Sequence, residues 1–312
     1  MAARNQDGQR AEPEINIGVL ASGTGHTMVA GDAIGKKVQN VRRGRPDTRD
    51  DVRERPADVG VLTVLAEESR AVVEVLERHR QYRSEQLPGG QQAHRAIISA
   101  ESGELRVVAM QTLDRGPESA GEAYRFMVET FTPSVVLLVG IAGGIRAGIE
   151  VGDVVIADEV IYYDARRETS SGPQRRGRTQ PMAPVLLHRV NEFFRRHRGL
   201  LAQPTGEQIR VHRGPIGTGN AVITDEASDI LSYLRQFNEK TLAVETEAGG
   251  VGQAFYEQID RAGTLRGWLT IRGISDLADS HKGHDHHQFA AERAALVMDH
   301  LLPLLKLRQT RP

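Results

Sequence analysis

The stretch Ser134–Val139 (SVVLLV) is an unbroken β-prone apolar run that passes straight into Gly140-Ile141-Ala142-Gly143-Gly144. A strand that is apolar at every position is buried on both faces, and a sheet achieves this when helices cover each side. The chain from Asp58 onward repeats that texture. Val59–Leu65 (VGVLTVL), Leu105–Met110 and Trp268–Ile274 (WLTIRGI) are further strands of this kind. Helical patterns alternate with them: Glu67 to about His79, with Val72, Val73, Val75 and Leu76 on one side, then Ser119–Thr130, Pro184–His197, Asp225–Phe237 and Glu247–Asp260. Asp153–Ala157 and Val160–Tyr163 read as two strands around a turn, and Gln208–Ile216 as one more. Ala243–Val244 begins a short strand, and Gln288–Leu307 is a closing amphipathic helix. The expectation is an α/β protein: a single domain over residues 57–312, with a mostly parallel (mixed) central sheet flanked by helices.

Residues 1–56 differ. They are rich in Gly, Arg, Asp and Gln, and Arg42–Arg55 is a charge run with no apolar face. Such a segment buries too little surface to offset its ordering entropy, so a flexible N-terminal segment is expected. Within it, Ile15–Val38 alternates β-prone residues with Gly, Ser and Thr and suits short strands. Gly31-Asp32-Ala33-Ile34-Gly35-Lys36 approaches a phosphate-binding loop, but the spacing is one residue short. Lys37 also stands where Ser or Thr must bind magnesium.

Composition narrows the function classes. The formal net charge is −1, which announces neither nucleic acid nor an anionic membrane as partner. There are no cysteines, which excludes a disulfide framework, a zinc ribbon and thiol catalysis. The first residues carry no apolar segment of the secretory type, and Val135–Gly144 is far short of the roughly 20 residues that cross a bilayer. A cytoplasmic protein acting on a small molecule is the expectation.

In a parallel sheet, chemistry gathers where strands end. Three acidic groups lie there: Glu67-Glu68, Glu245-Thr246-Glu247, and Ser275-Asp276-Leu277-Ala278-Asp279. An acid in a first helical turn ordinarily just complements the helix dipole, and Glu67 fits that role. Asp276 fits it poorly, because it follows a buried strand. Carboxylates gathered at one sheet edge raise each other's pKa, a cost that binding or proton transfer repays.

Four segments stand in a recognisable order: VGVLTVLAEES, LLVGIAGGIRAGIEVGDVVIADEV, AVETEAGGVGQAF and IRGISDLAD. Over roughly Ala57 to Leu307 the chain resembles the nucleoside phosphorylase superfamily, and within it the methylthioadenosine/adenosylhomocysteine nucleosidases. The resemblance implies a nucleoside phosphorylase-like fold, N-glycosidic bond hydrolysis without metal or cofactor, and a homodimer. It implies that Asp276 donates a proton to the departing purine and that Glu68 activates the attacking water. Arg272 would help to hold that water or the neighbouring carboxylates. Glu247, with Glu245 and Thr246, would bind the ribose. Ser275, Val222, Ile223, Ile141, Ala142 and Gly143 would belong to the base-binding and site loops, with Gly140–Gly144 offering backbone N–H groups.

The chain departs from that pattern in several places. Phosphorylases hold phosphate with an arginine just before the glycine loop, where this chain has Leu137-Leu138-Val139, so water is the expected nucleophile. Ile141 replaces a usual serine, Val222 a stacking Phe, and Thr246 a Met. The segment Arg166–Arg178 (RRETSSGPQRRGR) reads as a solvated loop or, alternatively, as a lid whose arginines receive a 5′-phosphate. The histidines at 281, 284, 286 and 287 match no metal-ligand spacing. Two rival readings are a phosphate-dependent purine nucleoside phosphorylase and a non-catalytic nucleotide-sensing module.

Overall fold

A computed structural model describes residues 56–203, 206–259, 263, 265–278, 285–305 and 307. The expectations for residues 1–55, and those for Asp279, His281 and His284, lie outside the described residues.

In chain order the strands are β1 (Val59–Thr63), β2 (Arg80–Gln86), β3 (Gln92–Ala100), β4 (Gly103–Gln111), β5 (Val135–Gly144), β6 (Val154–Tyr162), β7 (Arg166–Thr169), β8 (Gly172–Arg175), β9 (Arg178–Pro181), β10 (Leu200–Ala202), β11 (Gln208–Thr218), β12 (Ala243–Glu245) and β13 (Gly267–Asp276). The helices are α1 (Ala66–Leu76), α2 (Pro117–Phe131), α3 (Pro184–His197), α4 (Asp229–Phe237), α5 (Ala248–Gln258) and α6 (His287–Leu301). An 11-stranded mixed sheet runs β10-β11-β6-β13-β5-β1-β4-β3-β2, with β12 and β9 paired off this path. Its centre, β13-β5-β1-β4, is parallel, while the flanking pairs β3–β4 and β10–β11 are antiparallel. The architecture is the α/β one expected, and no helix of the described residues is long and apolar enough to cross a membrane.

The centre is parallel because β1, β5 and β13 are buried along their whole length apart from half-buried Ile141. Helices reach the sheet where the sequence leaves room. Gly273 on β13 lies so close to the Ala290 backbone of α6 that a Cβ there would collide with its carbonyl. The alanines of α6 (Ala290, Ala291, Ala294 and Ala295) are buried alongside.

Three expectations need correction, and an edge hairpin was not foreseen. Residues 154–162 form one strand, not two around a turn: Asp158 pairs with Arg213 at 3.1 Å, so the polar pair Asp158-Glu159 is accommodated inside β6. The glycine run is not a loop; β13 and β12 both pair with it, which carries β5 to Gly144. Asp276 ends β13 instead of following it. The hairpin β2–β3 was not anticipated, since β2 (RQYRSEQ) is charged and exposed, as suits an edge strand, and shows no apolar alternation.

Candidate active site

Glu68 is set by the first turn of α1. Leu65 is the N-cap, and Glu68 folds back so that its Oε2 accepts from the N–H groups of Val64 (2.7 Å) and Leu65 (2.9 Å). Its Oε1 accepts from Ile141 N–H on β5 at 2.8 Å. Glu67, read from the sequence as a first-turn acid complementing the helix dipole, does stand in that turn, while Glu68 beside it accepts the backbone N–H groups. Burial pushes the Glu68 carboxyl above its ordinary 4.5, although Arg272 and two backbone donors pull the other way.

Arg272 comes from the middle of β13 and is completely buried. Its Nη2 donates to Glu245 and to Glu247 Oε2 (3.2 Å), and its Nη1 lies 3.8 Å from Glu68 Oε1. Burial works against the charge, but Glu245, Glu247 and Glu68 together raise the pKa above the ordinary arginine value. Nε and Nη1 have no hydrogen-bond partner among the described residues. Gly140 makes this convergence possible. A Cβ at that position would run into both Glu68 Oε1 and Arg272 Nη1.

The two glutamates of the β12–α5 junction are held differently. Glu245 accepts from Glu247 N–H (3.0 Å) and Ala248 N–H (2.9 Å) as well as from Arg272. Burial, and then the nearby Glu247 carboxylate working against Arg272, leave its pKa raised. Glu247 is the N-cap of α5, and its Oε1 accepts from Gly116 N–H at 3.1 Å and from the Thr246 hydroxyl.

Asp276 stands apart from the arginine. Strand alternation would send Ser275 and Asp276 to opposite faces. An irregularity in the pairing of β13 with β5 between Ile274 and Asp276 lets both side chains line the same cleft. Asp276 Oδ1 accepts from Ala278 N–H at 2.9 Å, and the backbone there bends through a left-handed Ala278 with φ 53°. The Ser275 hydroxyl lies 2.8 Å from Asp276 Oδ2 and 3.4 Å from the Ala142 carbonyl. Gly143 is required beside them, since a Cβ there would come within 2.9 Å of Asp276 Oδ1.

These groups surround a cleft with about 750 Å³ of empty space, open to solvent. Glu68, Glu245, Glu247 and Asp276 all line it, as do Thr246, Ser275, Ile141, Ala142, Gly143, Val222 and Ile223. The residues expected at the site lie on the cleft except Gly140 and Gly144 at the two ends of the glycine run, and Arg272, which is fully buried. Among the other lining residues, three with polar side chains were not expected there: Tyr163, Arg115 and His287. Tyr163 could have been found as the residue that follows β6, at a strand end. Its hydroxyl donates to the Ala221 carbonyl at 2.9 Å and pins the loop that carries Val222, while burial raises its pKa and keeps it a donor. Nothing in a motif or a periodicity marks Arg115, and His287 stands out only as one of the clustered histidines, not as a residue of this cleft.

The sequence profile of the phosphorylase superfamily matches residues 58–305. The chain belongs to that superfamily. Among its relatives, a 5′-methylthioadenosine/S-adenosylhomocysteine nucleosidase of Mycobacterium bovis is 29% identical over 67% of this chain and 87% of its own length. An ATP nucleosidase, Cap17, of Escherichia coli is 28% identical over 64% of this chain, and the match spans only 42% of that relative's length. The solved nucleosidase of Neisseria meningitidis, in complex with methylthio-immucillin-A, shares the fold, with TM-score 0.61 and 21% identity over 78% of this chain and 98% of its own. The futalosine hydrolase of Helicobacter pylori has a TM-score of 0.61 at 17% identity, over 78% of this chain and 96% of its own. In this superfamily member, the four ordered segments picked out in the sequence each contribute residues to one cleft.

Proposed function

We propose that this cleft hydrolyses the N-glycosidic bond of a purine nucleoside or nucleotide, releasing the free base. The observation that carries the reading is the division of four carboxylates: three share Arg272, and Asp276 faces the cleft outside that network. Glycosyl transfer needs such a division, with an acid at the leaving group and carboxylates where positive charge grows on the sugar. Asp276 protonates the departing base. Glu247 accepts from the ribose hydroxyls, with Thr246 orienting its Oε1. Glu245 has its oxygens taken by Arg272 and two backbone N–H groups, so it positions Arg272 and Glu247 instead of holding ribose. A water held in the cleft by Glu68 is the nucleophile, and Arg272, buried behind that carboxylate, fixes its position. The relatives named above include nucleosidases of different substrates, which supports the bond cleaved more than the molecule carrying it.

Water is favoured over phosphate because Leu137, Leu138 and Val139 are fully buried and offer no cation, while Arg272 is shared among three acids. Chromatography of mixtures containing methylthioadenosine, adenosylhomocysteine, adenosine or AMP should show free base without added phosphate. Release that depends on added phosphate would instead establish a phosphorylase, and binding without any release would favour the sensing module.

A pH dependence follows from Glu68, which must be ionised to take a proton from water. Since burial raises its pKa above 4.5, kcat/KM should fall on the acid side at a pH above the ordinary glutamate range. An acid limb at or below pH ~4.5, the ordinary glutamate range, would remove Glu68 as the base.

A further inference from the structure

One cation in the cleft has no task in the hydrolysis. Arg115 follows β4 and stands directly before Gly116, whose N–H donates to Glu247 at 3.1 Å. Its side chain is exposed to the cleft and makes no ion pair among the described residues. The adjacent Asp114 spends its Oδ1 on the Arg115 backbone N–H at 2.7 Å. A second basic group, the imidazole of His287 at the start of α6, is buried and lines the same cleft.

The arginine-rich segment 166–178, the other source of cations, is mostly engaged elsewhere. Arg166 pairs with Glu168, Arg175 holds Asp229 and the Tyr163 carbonyl, and Arg178 lies over the Tyr162 ring. None of its residues lines the cleft.

A nucleoside bound with its base at Asp276 and its 2′- and 3′-hydroxyls at Glu247 has one end left, the 5′ carbon. A neutral group there gives the Arg115 guanidinium nothing to pair with, whereas a phosphate matches its planar fork of donors. The acids of the cleft oppose an anion less than their number suggests, because three of them share Arg272.

We infer that the substrate is a 5′-phosphorylated purine nucleoside whose phosphate is received by Arg115, with His287 as a further donor. This rests on the reading of the cleft as a nucleosidase site.

The test compares base release from AMP, ADP, ATP, adenosine and methylthioadenosine. The phosphorylated substrates should have the higher kcat/KM, and added salt should narrow their advantage. Arg115→Ala should lower the AMP-to-adenosine ratio of kcat/KM about 10- to 100-fold, the worth of a charge-assisted hydrogen bond, and Arg115→Lys should restore part of it. An unchanged ratio in Arg115→Ala, or a preference for a neutral 5′ group, overturns the inference and leaves hydrolysis standing. If no substrate releases base, the nucleosidase reading fails instead. Calorimetry then decides the anion site: weaker AMP binding by Arg115→Ala, relative to adenosine, supports it, and equal weakening overturns it.

Discussion

Replacing Arg272 by Met should destabilise the protein by about 3–5 kcal/mol, the usual cost of leaving a buried charge without its partner. Arg272 is fully buried, and three carboxylates converge on it. Removing the guanidinium leaves Glu68, Glu245 and Glu247 facing one another with only backbone and hydroxyl donors for compensation. The cost should depend on pH in a definite direction. Glu68 and Glu245 already have raised pKa values, with burial the largest cause, and loss of the cation removes the main force holding them down. As pH falls, these acids take up protons and the unpaired charge disappears. The melting temperature of Arg272→Met should therefore lie about 10 °C below wild type at pH 8, with the gap narrowing toward pH 5.5. Calorimetric melting across that range checks it. A gap that is constant or widens on acidification would mean that packing, not charge, is what Arg272 supplies. Met fills similar volume, so a large packing loss is not built into the comparison.

Much of this site was legible in the sequence, because its acids follow strands whose apolar runs are unmistakable. Glu68 comes after VGVLTVL, Glu247 after a short strand, and Asp276 at the end of WLTIRGISD. What could not be read is which oxygen each acid has left to use. Glu245 and Glu247 look equivalent two residues apart, yet one is consumed by backbone donors and the other faces Gly116 and Thr246. That difference is set by the turn into α5, which local propensity does not encode. The glycine run misled for a related reason. Gly140 and Gly143 are small because carboxylates press against them, not because the chain turns there. Arg115 was invisible, and His287 showed only among the histidines near the last helix, since each is a single residue brought to the cleft by tertiary packing. The charged edge strand β2 carries no apolar period, so its pairing with β3 is a property of the sheet and not of its own sequence.

Replacing Asp276 by Asn should lower kcat for base release about 10²–10⁴-fold, the range that general acid catalysis contributes. The substitution is chosen because the surroundings can accept it. The amide oxygen can still take the Ala278 N–H that now bonds Oδ1 at 2.9 Å. The amide nitrogen can donate to Ser275 Oγ, which then turns its own proton toward the Ala142 carbonyl, 3.4 Å away. The fold and the cleft should therefore survive, with a melting temperature close to wild type. KM should change little, because an amide N–H can still hydrogen-bond a purine nitrogen. What the amide cannot do is give up a proton as the glycosidic bond breaks. That distinction predicts a second result. A riboside whose leaving group is a good one, such as p-nitrophenol, departs without protonation, so Asp276→Asn should slow its hydrolysis far less than that of a purine nucleoside. Equal losses on both substrates would show that Asp276 shapes the cleft without acting as the acid. Turnover of the purine substrate within about tenfold of wild type would exclude it from proton transfer altogether.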